Sequence, residues 1–189
     1  DLSRGLGDVY KRQPLYFAPP DFAETPSLKR SNAFQIVGEE CKSVRSGVGL
    51  LDITGFSRFE VSGPNAESWL NKVMASKLPN PGRASLAPML SEEGRLKGDL
   101  TIFNWGDGTW WIMGSYYLRA WHMRWFNDHL TDGVSILDLG ENWAGFSLSG
   151  PKSKEVISRI TDFPVDELKF MGCANTVSYT HLRAHETDR

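Results

Sequence analysis

Six residues recur nearly unchanged in this chain. Phe59-Glu60-Val61-Ser62-Gly63-Pro64 and Phe146-Ser147-Leu148-Ser149-Gly150-Pro151 each read as a strand that ends in Ser-Gly-Pro and runs into helical spacing. After the first copy, Ala66, Trp69, Leu70 and Val73 share one helix face; after the second, Val156, Ile157 and Ile160 point inward. Glycine permits the turn out of the strand, and proline with its fixed φ opens the helix. Two copies of strand, Ser-Gly-Pro and helix predict an internally duplicated α+β fold, although six residues is a short enough match to arise by chance.

Between the copies lies a hairpin, Leu86 to Trp105. Ser91-Glu92-Glu93-Gly94-Arg95 is its turn, with Gly94 available for a positive φ. Period two then sorts the second strand: Leu96, Gly98, Leu100 and Ile102 face the core, and Lys97, Asp99, Thr101 and Phe103 face away. Gly98 supplies no side chain, which leaves room for a ligand or another backbone. The residues alone leave Asp99 open to two readings, a solvated outer-face carboxylate or one that meets a ligand.

The remaining elements follow from periodicity. A helix is expected over Gln35 to Ser46, strands over Val48 to Ile53, Phe56 to Val61, Thr109 to Met113 and Val134 to Leu139, and a helix over Ser115 to Leu130. In that last helix Leu118, Trp121, Trp125 and His129 share a face, and His122 and His129 read as helix-surface or core-edge residues. Pro14 to Phe34 has four prolines and no helical period, so it reads as an extended arm laid across something with its aromatics.

Several chemistries are excluded by motif. Gly47-Val48-Gly49 lacks the third glycine of a dinucleotide fingerprint and follows a helix instead of a strand. Gly145 to Gly150 is one residue away from a nucleophile elbow. Two cysteines, Cys41 and Cys173, make neither a disulfide framework nor a zinc cage, and fit a reducing, cytoplasmic setting. No apolar run approaches the ~20 residues of a membrane span.

The two ends stand apart. Ser3 to Gln13 and Val177 to Thr187 can be encoded by nearly reverse-complementary DNA, an inverted repeat that resembles a sequencing adapter read through in translation. On that expectation 1–13 and 176–189 are non-native, 14–34 is an arm, and 35–175 is a truncated domain. Setting aside the charged residues of the two ends leaves 16 basic against 19 acidic residues. A slightly acidic domain without a basic run gives no footprint for nucleic acid or an anionic membrane.

Read together, VRSGVGLLDITGFSRFEVSGPNAESWLNKVMA (Val44 to Ala75), GRLKGDLTIF (Gly94 to Phe103) and FSLSGPKSKEVI (Phe146 to Ile157) resemble the glycine-cleavage T-protein family of folate-binding aminomethyltransferases. PLYFAP, RSNAF, LAPMLSEEGRLKGDLT and HMRWF are similar to the C-terminal part of flavin-dependent dimethylglycine and sarcosine dehydrogenases. The resemblance implies duplicated ferredoxin-like units with antiparallel sheets and packed helices. It also implies tetrahydrofolate as ligand, with Asp99 against the pterin as the catalytic carboxylate. Leu86 stands where the family has a pterin-side tyrosine, and Ser115 where it has an asparagine, so these two join Asp99 as implied folate-binding positions. The implied parent oxidises a methylated amine on FAD and passes the one-carbon unit to tetrahydrofolate. Its flavin domain and the second half of the folate domain would lie outside this stretch, which alone is expected to be inactive. A glycine-cleavage aminomethyltransferase, a non-catalytic folate module in iron–sulfur or RNA maintenance, and an interaction scaffold without a folate site remain the alternatives.

Overall fold

The computed structural model describes residues 15–140 and 142–176. The expected adapter stretches therefore lie almost wholly outside the described residues. In chain order the elements are α1 (Ala33–Ser46), β1 (Gly49–Asp52), β2 (Ser57–Ser62), α2 (Ala66–Val73), β3 (Arg83–Leu90), β4 (Leu96–Asn104), β5 (Trp110–Gly114), α3 (Arg119–Asp128), β6 (Ser135–Asp138), β7 (Phe146–Ser149) and α4 (Ser153–Ile157). A five-stranded antiparallel sheet runs β3-β4-β5-β2-β6, and β1 and β7 form a separate antiparallel pair. The expected α+β class, antiparallel sheets with packed helices, is what the chain adopts.

The Ser-Gly-Pro repeat is a repeat in three dimensions. Gly63 has φ +111° and Gly150 has φ +117°, and a Cβ on either would run into a carbonyl oxygen, of Gly133 or of Gly47 respectively. Two residues on, Asn65 N–H donates to Gly133 O at 3.1 Å, and Lys152 N–H donates to Gly47 O at the same distance. Those receiving glycines open a second matching stretch: Gly47-Val48-Gly49-Leu50-Leu51-Asp52-Ile53 against Gly133-Val134-Ser135-Ile136-Leu137-Asp138-Leu139. Each aspartate accepts a bond from the backbone two residues later, Asp52 from Thr54 at 2.7 Å and Asp138 from Gly140 at 2.9 Å.

Each repeat is thus helix, glycine, strand, strand, Ser-Gly-Pro, helix, and the two exchange strands. β1 of the first pairs with β7 of the second, with Asp52 opposite Phe146; β2 of the first pairs with β6 of the second, with Asp138 opposite Phe59. The registers are equivalent residue for residue.

One face of the five-stranded sheet is buried against α2 and α3. Ala66, Trp69, Leu70 and Val73 recur at i, i+3, i+4 and i+7, and all four are buried. They meet Phe59, Val61, Met89, Leu100, Ile102 and Ile112 from the sheet and Phe126 from α3. Full burial of each large apolar side chain contributes about 1.5–3 kcal/mol. Trp69 keeps its polar tip satisfied by donating Nε1–H to His129 O at 2.6 Å.

Three expectations are corrected. His122 is neither surface nor core edge but 1 % exposed, while His129 is exposed. The α3 stripe rotates accordingly: His122 and Phe126 are buried, and Trp121 and Trp125 only pack against the core margin. Ile160 is 54 % exposed instead of inward, because α4 ends at Ile157. In the arm, Tyr16 packs edge-on against Phe22 at 5.9 Å and donates to Glu24, and Phe17 N–H bonds Glu40 of α1; the Phe17 ring itself stays exposed.

Candidate functional site

The hairpin forms where the turn chemistry puts it. Gly94 takes φ +77°, its N–H donates to Ser91 O at 2.8 Å, and Ser91 N–H donates to Arg95 O at 2.9 Å. From Gly98 onward β4 alternates as expected, with Gly98, Leu100 and Ile102 buried and Asp99 exposed on the opposite face; Leu96, expected on the core face, is 63 % exposed because it sits at the strand's start beside the turn, beyond the packed core. Against expectation, neither ligand nor backbone fills the space at Gly98. The His122 ring does, and a Cβ on Gly98 would stand 3.0 Å from its Nε2.

On the outer face Asp99 lies in an open cleft of about 440 Å³, within the size range of small-ligand sites. Its lining is Phe56, Asp99, Thr101, Met113, Gly114, Ser115 and Tyr117. Four segments meet here: β4, the end of β5, the turn leading into α3, and the residue before β2. Among the described residues Asp99 has no hydrogen bond or ion pair, so its acceptor oxygens are free. Ser115 makes no capping bond with its side chain, and its carbonyl accepts Ser57 Oγ–H at 3.3 Å.

The structure therefore brings Asp99 and Ser115 together. Leu86 stays apart: it is 66 % exposed on β3 opposite Thr101, on the same face but outside the cleft lining. Phe56, Met113 and Tyr117 escape sequence reasoning because they come from elements far apart in the chain. Thr101 was marked by its spacing of two from Asp99. Farther along the face, Trp111 stands between Trp105 at 5.3 Å and Trp143 at 4.9 Å, edge-on to both, and donates Nε1–H to Glu60.

Elsewhere the ionisable groups are structural. Burial holds the Arg58 guanidinium below its usual range, while its N–H groups bond the carbonyls of Ile53, Thr54 and Phe56. Hydrogen bonds from Thr54 hold Asp52 low, and those from Thr109 do the same for Asp107. Burial lowers the His122 imidazole from its ordinary value, opposed by an approach to the Lys97 backbone that falls short of hydrogen-bond geometry. Among the described residues no group of three or more His, Cys, Asp or Glu could hold a metal, and no helix is long and apolar enough to cross a membrane.

Fold and site together define an α+β domain with an open cleft on the outer face of an antiparallel sheet, lined in part by the Asp99 carboxylate. The chain belongs to the GCVT N-terminal domain family, whose model matches residues 7–187. It is 27% identical over 166 residues to mouse (Mus musculus) dimethylglycine dehydrogenase, covering 84% of this chain and 19% of that protein. To the aminomethyltransferase of Geobacillus kaustophilus it is 27% identical over 153 residues, covering 80% of this chain and 42% of that one. The chain thus spans well under half the length of these relatives. Among solved structures, the glycine cleavage system aminomethyltransferase T from Bartonella henselae shares the fold with a TM-score of 0.64 at 18% identity, covering 74% of this chain and 38% of that chain. Heterotetrameric sarcosine oxidase from Corynebacterium sp. U-96 shares it with a TM-score of 0.54 at 16% identity, covering 80% and 77%.

Proposed function

We propose that this chain holds tetrahydrofolate in the Asp99 cleft and, within a longer protein, serves transfer of a one-carbon unit from a dimethylglycine- or sarcosine-like amine. The observation that carries this reading is the free Asp99 carboxylate in the lining of a cleft that Phe56, Met113 and Tyr117 also line. A flat heterocycle rich in N–H donors fits such a lining: apolar side chains take the ring, and a carboxylate accepts from its edge.

Tetrahydrofolate supplies the nucleophilic nitrogen that accepts the one-carbon unit. Asp99 orients the bound ring by accepting hydrogen bonds, and its charge favours positive charge that develops beside it. A carboxylate within reach also takes up the proton released as the new bond forms. Ser115 offers a hydroxyl from the lining, and Leu86 lies on the same sheet face outside it.

FAD belongs, on this reading, to a separate flavin domain of the parent. Gly47-Val48-Gly49 runs from α1 into β1, the reverse of the strand-to-helix order of a dinucleotide fingerprint, so these residues do not fit it. A second half of the folate domain, on this reading, packs on the β1–β7 pair. The internal repeat supports this: β2 is flanked by both β6 and β5, whereas among the described residues its equivalent β7 is flanked by β1 alone. Leu50, Leu51 and Phe146 on that pair are each more than half exposed. A glycine-cleavage aminomethyltransferase is the second reading, favoured by the aminomethyltransferases that match over a similar span.

The test is titration of the chain with tetrahydrofolate, read by tryptophan fluorescence. Loss of a charge-assisted hydrogen bond is worth about 1.5–3 kcal/mol, so Asp99→Asn is expected to weaken binding by roughly one to two orders of magnitude. In the parent, the same variant lowers methylenetetrahydrofolate formation and spares flavin reduction by dimethylglycine or sarcosine. Undiminished coupling in Asp99→Asn refutes the assignment, and flavin that the amine does not reduce shifts the choice to the second reading.

A further inference from the structure

Four polar side chains are buried in the core among the described residues: Ser57, Arg58, Asn104 and His122. Ser57, Arg58 and Asn104 hydrogen-bond to backbone carbonyls. His122 alone does not, and both of its ring nitrogens are buried without a partner. A phenylalanine or leucine there would carry no unpaired polar atom, so the imidazole bears a desolvation cost that an apolar side chain would not.

The position of the ring suggests what it does. Trp121 lies 5.5 Å from it and Phe126 6.2 Å, and its sheet side rests in a notch made by two glycines. A Cβ on Gly98 would come within 3.0 Å of Nε2, and one on Gly114 within 3.5 Å of Nδ1 and Cε1. Gly98 immediately precedes Asp99, and Gly114 immediately precedes Ser115. Strand alternation then puts the ring directly behind the backbone that presents both cleft residues.

Each side of that backbone is laddered to its outer neighbour, Asp99 to Pro88 of β3 and Gly114 to Ser57 of β2, but not to the other side. The β4–β5 ladder runs from Asn104↔Trp110 to Thr101↔Met113 and stops there. Asp99 and Ser115 lie beyond its last rung, where β4 pairs only with β3. Across this unladdered stretch, the spacing between Gly98 and Gly114 is filled by the imidazole and the Leu100 side chain.

We propose that His122 is a positioning residue for the Asp99 carboxylate: its ring, wedged between Gly98 and Gly114, sets the separation of β4 from the end of β5 and so the geometry of the cleft lining. This rests on the tetrahydrofolate reading for its ligand, but the geometric claim is independent of it. A side chain kept only for packing is replaced by an apolar one with stability preserved and the site unaffected. A positioning residue lets stability and binding move apart.

The experiment compares the full chain with His122→Leu and Gly98→Ala. It reads melting temperature, tetrahydrofolate affinity by tryptophan fluorescence, and titration of the Asp99 carboxyl by NMR. We expect His122→Leu to melt at or above the wild-type temperature while its dissociation constant rises about tenfold, the scale on which small misplacements of a site residue are felt. The Asp99 carboxyl titrates at a shifted pH in the same variant, and the dissociation constant of Asp99→Asn with His122→Leu is no weaker than that of Asp99→Asn alone. Gly98→Ala leaves the imidazole in place but pushes against Nε2, and it shifts the Asp99 titration even if His122→Leu fails to fold. A higher melting temperature with unchanged affinity and unchanged Asp99 titration overturns the proposal, as does an unshifted Asp99 titration in Gly98→Ala. If the wild-type chain does not bind tetrahydrofolate, the functional reading falls, and the Asp99 titration still decides the role of His122.

Discussion

Replacing Gly63 by alanine isolates what the Ser-Gly-Pro turn requires. At φ +111° the new Cβ meets an unfavourable backbone conformation, costing about 1–3 kcal/mol. It also collides with Gly133 O, the acceptor of the 3.1 Å bond from Asn65 N–H, and losing that bond adds about 0.5–1.5 kcal/mol. The expected loss of roughly 2–4 kcal/mol is a large part of the 5–15 kcal/mol that holds a typical domain folded. Two controls separate the contributions. Gly94 has φ +77° with open space around it, so Gly94→Ala feels the backbone cost without the collision. Gly38 lies within α1 with nothing within 4 Å and no positive φ, so Gly38→Ala is expected to gain about 0.5–1 kcal/mol. Urea denaturation followed by tryptophan fluorescence gives all three, with unchanged slopes as the check that only stability has moved. Equal losses in Gly63→Ala and Gly94→Ala refute the claim that close approach to Gly133 is what demands glycine.

Two further outcomes follow from burial. The imidazole of His122 is held below its ordinary value by desolvation. As pH falls through about 6.5 the unfolded chain therefore takes up this proton before the folded one. This stabilisation is full above that pH and lost below it, so the urea midpoint of the wild type drops more between about pH 7.5 and pH 5.5 than that of His122→Phe; parallel drops refute the assignment. Cys41 is exposed, whereas burial raises the Cys173 thiol, which donates to Asn104 O at 3.5 Å. Iodoacetamide at neutral pH followed by peptide mapping should therefore label Cys41 first and Cys173 only on unfolding; equal rates contradict this.

What the sequence made legible was local. The Ser-Gly-Pro pair, the i, i+3, i+4, i+7 spacing of α2, the Gly94 turn and the alternation along β4 each depend on neighbours a few residues apart, and each is found in the fold. The other half of the repeat, Gly47 to Ile53 against Gly133 to Leu139, was hidden because the loop that follows is one residue longer in the second copy, so the two matches do not share an offset. His122 was misread for another reason. Helical periodicity says which residues of α3 lie together, not that two glycines on other strands leave a hole shaped for an imidazole. The cleft had the same character: Asp99 announced itself by its period, but Phe56, Met113 and Tyr117 reach it only through the pairing of β2, β4 and β5.

The strand exchange bears on how such a chain is made. The first repeat emerges from the ribosome with β1 and with one edge of β2 unmatched, because their partners β7 and β6 are both in the second repeat. Neither copy has all its strand pairings by itself, and those that β1 and β2 make with β7 and β6 can form only once the second copy has been synthesised. Contacts between such distant segments close slowly and leave edges open to the wrong neighbour. An ancestor in which two identical chains traded these strands would have had the same pairings. Joining them end to end turns an encounter between molecules into one within a single chain, and it also means that a cut between the two repeats leaves two incomplete partners instead of two smaller domains.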